Sequence, residues 1–178
     1  IFTVKTWLRI CWDHLQDIHH SEATEFSIVS EEQYRYLWYK AIKLHDPELA
    51  TNYVDLASDT ENNIETWQLN SIAINNEHFG SMRFSRWRGT LHELLKSKKM
   101  VTQAHSWVII MKSFKQGCLP QLPIISLYGF QAISPLEFDT ISAASEVLSS
   151  IDQSLVSIDM VRSARSARNS ITSFTAQS

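Results

Sequence analysis

Glycine and proline are scarce in this sequence, with four of each among 178 residues. So few chain breakers favour long regular segments and argue against an all-β fold built on many tight turns. They also leave no place for a glycine-rich phosphate loop. Neither G-x-x-x-x-G-K-[ST] nor the dinucleotide pattern G-x-G-x-x-G occurs, and there is no G-x-S-x-G elbow. Cysteine is rarer still: Cys11 and Cys118 stand far apart without metal-ligand spacing, which fits a reduced, cytoplasmic setting. No stretch approaches the ~20 apolar residues of a membrane span, and no signal-peptide charge pattern opens the chain, so no membrane partner is expected. An excess of one charge is missing as well. The 16 basic and 19 acidic residues leave a net charge of -3, so any nucleic-acid contact has to come from a local patch.

What is present is ample apolar and aromatic material. Apolar residues make up 44% of the chain, including six Trp, eight Phe and five Tyr, enough for a packed core. Ile1 to Val4 reads as a short strand leading into a helix capped by Thr3 or Thr6, which runs to about His19. Its apolar face carries Trp7, Leu8, Cys11, Trp12, Leu15 and Ile18. Ser30-Glu31-Glu32-Gln33 is a capping box, followed by the stripe Tyr34, Leu37, Trp38, Ala41 and Ile42. Asp46-Pro47 opens the next helix, with proline where its missing N–H costs nothing, and Leu49 to Leu69 carries it to about residue 70. Residues 70–78 are polar and read as a loop. A helix is expected over Phe79 to Lys98 with Phe84, Trp87, Leu91, Leu94 and Leu95 inward, then one from Gln103 to Lys115, capped by Thr102 and stopped at Gly117. Leu122 to Tyr128 reads as a buried strand of parallel type. Ser134-Pro135-Leu136-Glu137 is a second capping box, with a helix to about Ser149. Ser154 to Met160 alternates as a weak strand would, and the Ser/Ala/Arg-rich remainder reads as linker. Both ends stop in mid-pattern, as in a piece of a longer chain.

No catalytic set is legible. His14, His19 and His20 lie near Asp13 and Asp17, yet a helical zinc pair needs i, i+4 spacing, and His14 and His19 fall on different faces. His92 beside Glu93, and His105 alone, read as polar helix face. Glu31-Glu32 is explained by the helix N-terminus, and Asp55, Asp59 and Glu61 by a solvated face. No metal and no cofactor are therefore expected. Basic residues gather at Arg83, Arg86 and Arg88 and again at Lys96, Lys98 and Lys99, on or just after one helix. They can hold phosphates or serve as ordinary surface, and Trp87 between them fits the core stripe better than a base-stacking platform. Arg162, Arg165 and Arg168 offer the same two alternatives in the tail.

Several landmarks in order resemble inactivated superfamily I helicases, and among them the AddB-like probable DNA repair proteins of bacteria. Ile1-Phe2-Thr3-Val4-Lys5-Thr6-Trp7-Leu8 is similar to the family's strand-then-W-L segment, and Ser30-Glu31-Glu32-Gln33 with Leu37-Trp38 to its S-x-x-Q…L-W helix. Phe84-Ser85-Arg86-Trp87 resembles its F-x-x-W helix, and Val101-Thr102-Gln103-Ala104 the start of the helix after it. Leu122-Pro123 through Gly129-Phe130 to Ser134-Pro135 resembles its L-P…G-F-D-x-L-T-P stretch. The resemblance implies that Tyr128, Gly129, Phe130, Gln131 and Ala132 stand where active helicases carry D-E-F-Q-D. A tyrosine and a glycine there cannot hold magnesium or act as the general base.

The expected fold is mainly α: a helical bundle inserted between strands of a partial parallel α/β, RecA-like sheet. Residues 1–118 would form a mainly helical 1B-like subdomain, 119–150 a strand and helix of a degenerate helicase core, and 151–178 a tail. The resemblance further implies a non-enzymatic module of a DNA repair or recombination exonuclease. It would bind DNA, single-stranded or a duplex end, without sequence preference through Arg83, Arg86, Arg88, Lys96, Lys98 and Lys99, beside a helicase or nuclease partner subunit. The alternative is a helical protein–protein interaction domain with no DNA role.

Overall fold

A computed structural model of the chain describes residues 3–68, 79–127 and 133–150. The fold is mainly helical, with two small parallel sheets of two strands each. Helix α1 spans Val4–Asp17, and its cap is Thr3, whose hydroxyl accepts the Thr6 N–H at 3.2 Å. Val4 is thus helical rather than extended. Leu8, Cys11, Trp12 and Leu15 are buried along one face. Ile18, expected on that face, is exposed instead, because the helix has already ended and His19 turns the chain through a left-handed conformation at φ 55°.

A short helix α2, Ser21–Glu25, leads into strand β1, Ser27–Ile28. Strand β1 pairs in parallel with β2, Met100–Val101. Neither strand was legible, since two residues carry no periodicity. Among the described residues, three α-helices lie between them. Helix α3, Glu31–His45, starts at the expected capping box: Gln33 N–H donates to Ser30 Oγ at 3.2 Å, and Ser30 N–H to Gln33 Oε1 at 3.1 Å. Pro47–Leu49 forms a 3₁₀ turn that runs into α4, Ala50–Thr66. Helix α5 spans Phe79–Ser97. Leu37, Trp38, Ala41 and Ile42 of α3, Ala50 and Ala57 of α4, and Trp87, Leu91 and Leu95 of α5 make one core.

Helix α6, Gln103–Lys115, follows β2 directly. Thr102 caps it by accepting the His105 N–H at 3.1 Å, and Gly117 takes the left-handed φ of 75° that closes it. Its buried residues, among them Trp107, Ile110 and Phe114, join α1 and Leu136 in a second core, with Trp7 stacked on Phe114 at 5.9 Å. Strand β3, Leu122–Leu127, helix α7, Pro135–Ala144, and strand β4, Ser145–Ser150, then form a crossover unit in which β3 and β4 pair in parallel from Leu122↔Ser145 to Leu127↔Ser150. The Ser134 capping box is present, but α7 stops at Ala144 and not near Ser149. Ser145 turns extended because its backbone pairs with β3, and tertiary pairing overrides local helix propensity. β3 is also less buried than expected, with Leu122 41% and Ile124 62% exposed. Among the described residues β4 is its one sheet neighbour.

The fold predicts a wide gap between two substitutions on one helix. Trp38 is fully buried, so Trp38→Ala should cost about 3–5 kcal/mol. Ser30→Ala, at the exposed cap, should cost about 1 kcal/mol. Urea unfolding midpoints of the two variants measure the difference directly.

Candidate functional site

The densest polar chemistry lies where α4 meets α5. On α4, Ala50, Ala57 and Ile64 repeat at helical spacing and are buried. Glu61 falls on the same stripe and is fully buried, not on the solvated face with Asp55 and Asp59 where it was expected. Its charge is met from α5. Arg88 Nε lies 2.6 Å from Glu61 Oε2, and His92 Nε2 lies 3.0 Å from Glu61 Oε1. Arg88 and His92 are one turn apart, as are Glu61 and Glu65, so a pair from each helix faces the other. Burial alone would raise the Glu61 pKa. The hydrogen bonds and positive charge of His92 and Arg88 outweigh it and hold the carboxyl below its ordinary range.

Glu65 has the opposite balance. Burial pushes it up to about 7, the Thr102 hydroxyl opposes this with a hydrogen bond, and the neighbouring Glu61 charge adds to the rise. Thr102 thereby serves two helices, capping α6 while facing Glu65 of α4. Side-chain atoms of Glu61, Glu65 and His92 all lie within 4.8 Å of one another, a set that can hold a metal ion.

A second polar anchor fixes the other half of α5. The buried Asp46 carboxylate accepts the Trp87 indole N–H at 2.7 Å, and Arg83 approaches it at 3.4 Å. Next to this anchor, between α4 and α5, opens an apolar hollow of ≈ 480 Å³. Tyr53, Leu56, Ala57, Ile64, Phe84 and Trp87 form most of its wall.

The six basic residues picked from the sequence are therefore in two different situations. Arg83 and Arg88 are part-buried and point to Asp46 and Glu61. Arg86, Lys96, Lys98 and Lys99 are exposed, with Lys99 3.9 Å from Glu25. Arg86 and Lys96 are ten residues apart on α5, about 15 Å along its axis, so the lysines form a local cluster and not one end of a continuous basic face. Trp87 is core, as its spacing predicts. Tyr128, Gly129, Phe130, Gln131 and Ala132 lie outside the described residues, as do Arg162, Arg165 and Arg168.

The remaining candidates for chemistry are poorly placed. The Cys11 thiol is raised by burial to about 11 and stays protonated near neutrality, which removes its nucleophilicity. His14 and His19 are exposed, while His20 is half-buried with Nε2 3.4 Å from Ser113 Oγ. That Ser113 hydroxyl donates to the Ile109 carbonyl inside its own helix. No helix among the described residues is long and apolar enough to cross a membrane. No protein-family model matches the chain, and neither does a curated protein or a solved structure.

The raised Glu65 pKa gives a signed prediction. The folded state holds this proton up to about pH 7, whereas the unfolded chain releases it near the ordinary glutamate value of 4.5. The stability Glu65 contributes is complete below pH 4.5 and is lost as pH rises through about 7. Glu65→Gln should remove that decline while Glu61, Arg88, His92 and Tyr34 around it stay in place. The check is the urea midpoint of both proteins at pH 5 and pH 8: the drop on going to pH 8 should be smaller in the variant.

Proposed function

We propose that this chain is a non-catalytic, helicase-like module of a bacterial DNA repair or recombination exonuclease, and that it holds DNA without reading its sequence. The observation that carries the reading is the crossover unit at the C-terminal side of the helices. β3, α7 and β4 follow α6 in order, and the two strands run parallel. That is the arrangement expected if a helical subdomain is set into a parallel sheet, as the resemblance to inactivated superfamily I helicases implies. Of the six basic residues, Arg86, Lys96, Lys98 and Lys99 are exposed and available to meet phosphates. Arg83 and Arg88 belong to the internal framework. A cytoplasmic location and a helicase or nuclease partner subunit go with this reading.

The second reading, a protein-binding helical domain without a DNA role, is favoured by one feature. The hollow between α4 and α5 is mainly apolar, and Leu56 on its wall is 61% exposed. Such a surface suits an apolar side chain of a partner.

Fluorescence anisotropy with a labelled single strand and a labelled duplex separates the two. Binding should be insensitive to base sequence and should weaken steeply with salt. Replacing Lys96, Lys98 and Lys99 with Gln should weaken it by about tenfold or more and make the log–log salt slope shallower by about 2–3. Absence of salt-dependent binding, or affinity unchanged in the triple variant, would favour the protein-binding reading.

A further inference from the structure

We infer that Glu61, Glu65 and His92 form a binding site for a divalent transition-metal ion at the α4–α5 junction. Three arguments converge on these residues, and none depends on the DNA-binding reading. The first is donor chemistry. One imidazole and two carboxylates are a borderline-to-hard donor set that suits zinc and its divalent neighbours better than calcium or a soft monovalent ion.

The second is geometry. Glu61 and Glu65 stand one turn apart on α4, and His92 reaches across from α5, so the three donors come from two rigid helices. Glu61 Oε1 and His92 Nε2 are 3.0 Å apart. Two donors each about 2.0–2.1 Å from one tetrahedral ion would be about 3.3 Å apart. The existing pair therefore needs to open by only a few tenths of an ångström. Glu65 already has an atom within 4.8 Å of both.

The third is the surrounding shell. Arg88 stays on Glu61 Oε2, the oxygen that the ion does not need, and orients the carboxylate as an outer partner does in known metal sites. Thr102 faces Glu65 in the same way. The His92 side chain is 47% exposed, which gives the ion a path from solvent and leaves room for water as a fourth ligand. On binding, Nε2 gives its lone pair to the metal. Its proton moves to solvent if the ring is imidazolium, or shifts to Nδ1 if the ring is neutral, and any proton held by the Glu65 carboxyl likewise leaves to solvent as that group becomes a ligand. No oxidation or reduction is involved.

The sequence hides this set because its members lie on two helices. Within either helix alone, His92 has only Glu93 beside it, and Glu61 reads as part of a solvated face with Asp55 and Asp59.

The test is isothermal titration of the chelator-treated full chain with Zn²⁺, with Co²⁺ visible absorption as a second readout of ligand geometry. One equivalent should bind and should raise the thermal unfolding temperature. Glu65→Gln and His92→Gln should each weaken binding at least tenfold, roughly the lower end of what loss of even an outer partner costs. Both positions lie at the rim of the cluster, and circular dichroism of each variant establishes that it is folded. A variant with His14, His19 and His20 all changed to Ala should bind as the parent does. The inference is overturned if no stoichiometric Zn²⁺ binding occurs at tens of micromolar, if both rim variants bind unchanged, or if binding vanishes in the variant lacking His14, His19 and His20.

Discussion

The carboxylate of Glu61 sits in the interior with no solvent contact, and the packing of α4 on α5 is constrained by what that requires. An isolated ion there would cost several kcal/mol even after relaxation. It is tolerable only where Arg88 and His92 are brought to within 2.6 and 3.0 Å. Both come from α5, so the rotation of α5 about its own axis is set by α4. Asp46 imposes the same condition further along α5, through Trp87 and Arg83. With two anchors fixed, the outward face of α5 follows. It carries Arg86 and ends at Lys96, with Lys98 and Lys99 just beyond, all four exposed.

Local signals for the helices were strong. Thr3, Ser30, Thr102 and Ser134 each cap a helix through side-chain bonds that the sequence announces three residues in advance, and Gly117 ends one by taking a positive φ. These depend on chemistry within one turn of chain. Interactions that join distant segments were far less visible. The two-residue strands β1 and β2 exist because Ser27 and Ile28 find Met100 and Val101 some seventy positions away, and the end of α7 is decided by β3. Glu61 is the instructive case. Its step from Ala57 and to Ile64 places it on the apolar stripe, while its charge suggests a solvated face with Asp55 and Asp59. The spacing was the better guide, and a charged residue on an apolar stripe is itself a sign that a partner must be sought on another helix. The candidate site shares this property, since Arg88 and His92 owe their role wholly to α4.

The functional reading rests on an order of elements and a small set of exposed cations. Six clustered basic residues in the sequence resolve into four on the surface and two in the framework, so any DNA contact is weaker in charge than the sequence implies. The proposed sequence-independent holding of DNA agrees with that modest charge better than tight autonomous binding would. The apolar hollow beside Asp46 and the polar cluster around Glu61 lie on the same α4–α5 seam.

The most direct measurement of the central claim is a double-mutant cycle on Glu61→Gln and Arg88→Met, read by urea unfolding at pH 7. If the buried ion pair fixes α5 on α4, each single change should be destabilising, by up to about 3–5 kcal/mol, with Arg88→Met leaving the buried Glu61 charge with His92 as its remaining partner. The double variant should then be less destabilised than the sum of the two, with a coupling of about 1–3 kcal/mol. Additivity to within about 0.5 kcal/mol would mean that the two side chains act independently, and the ion pair would not be the joint on which the arrangement depends.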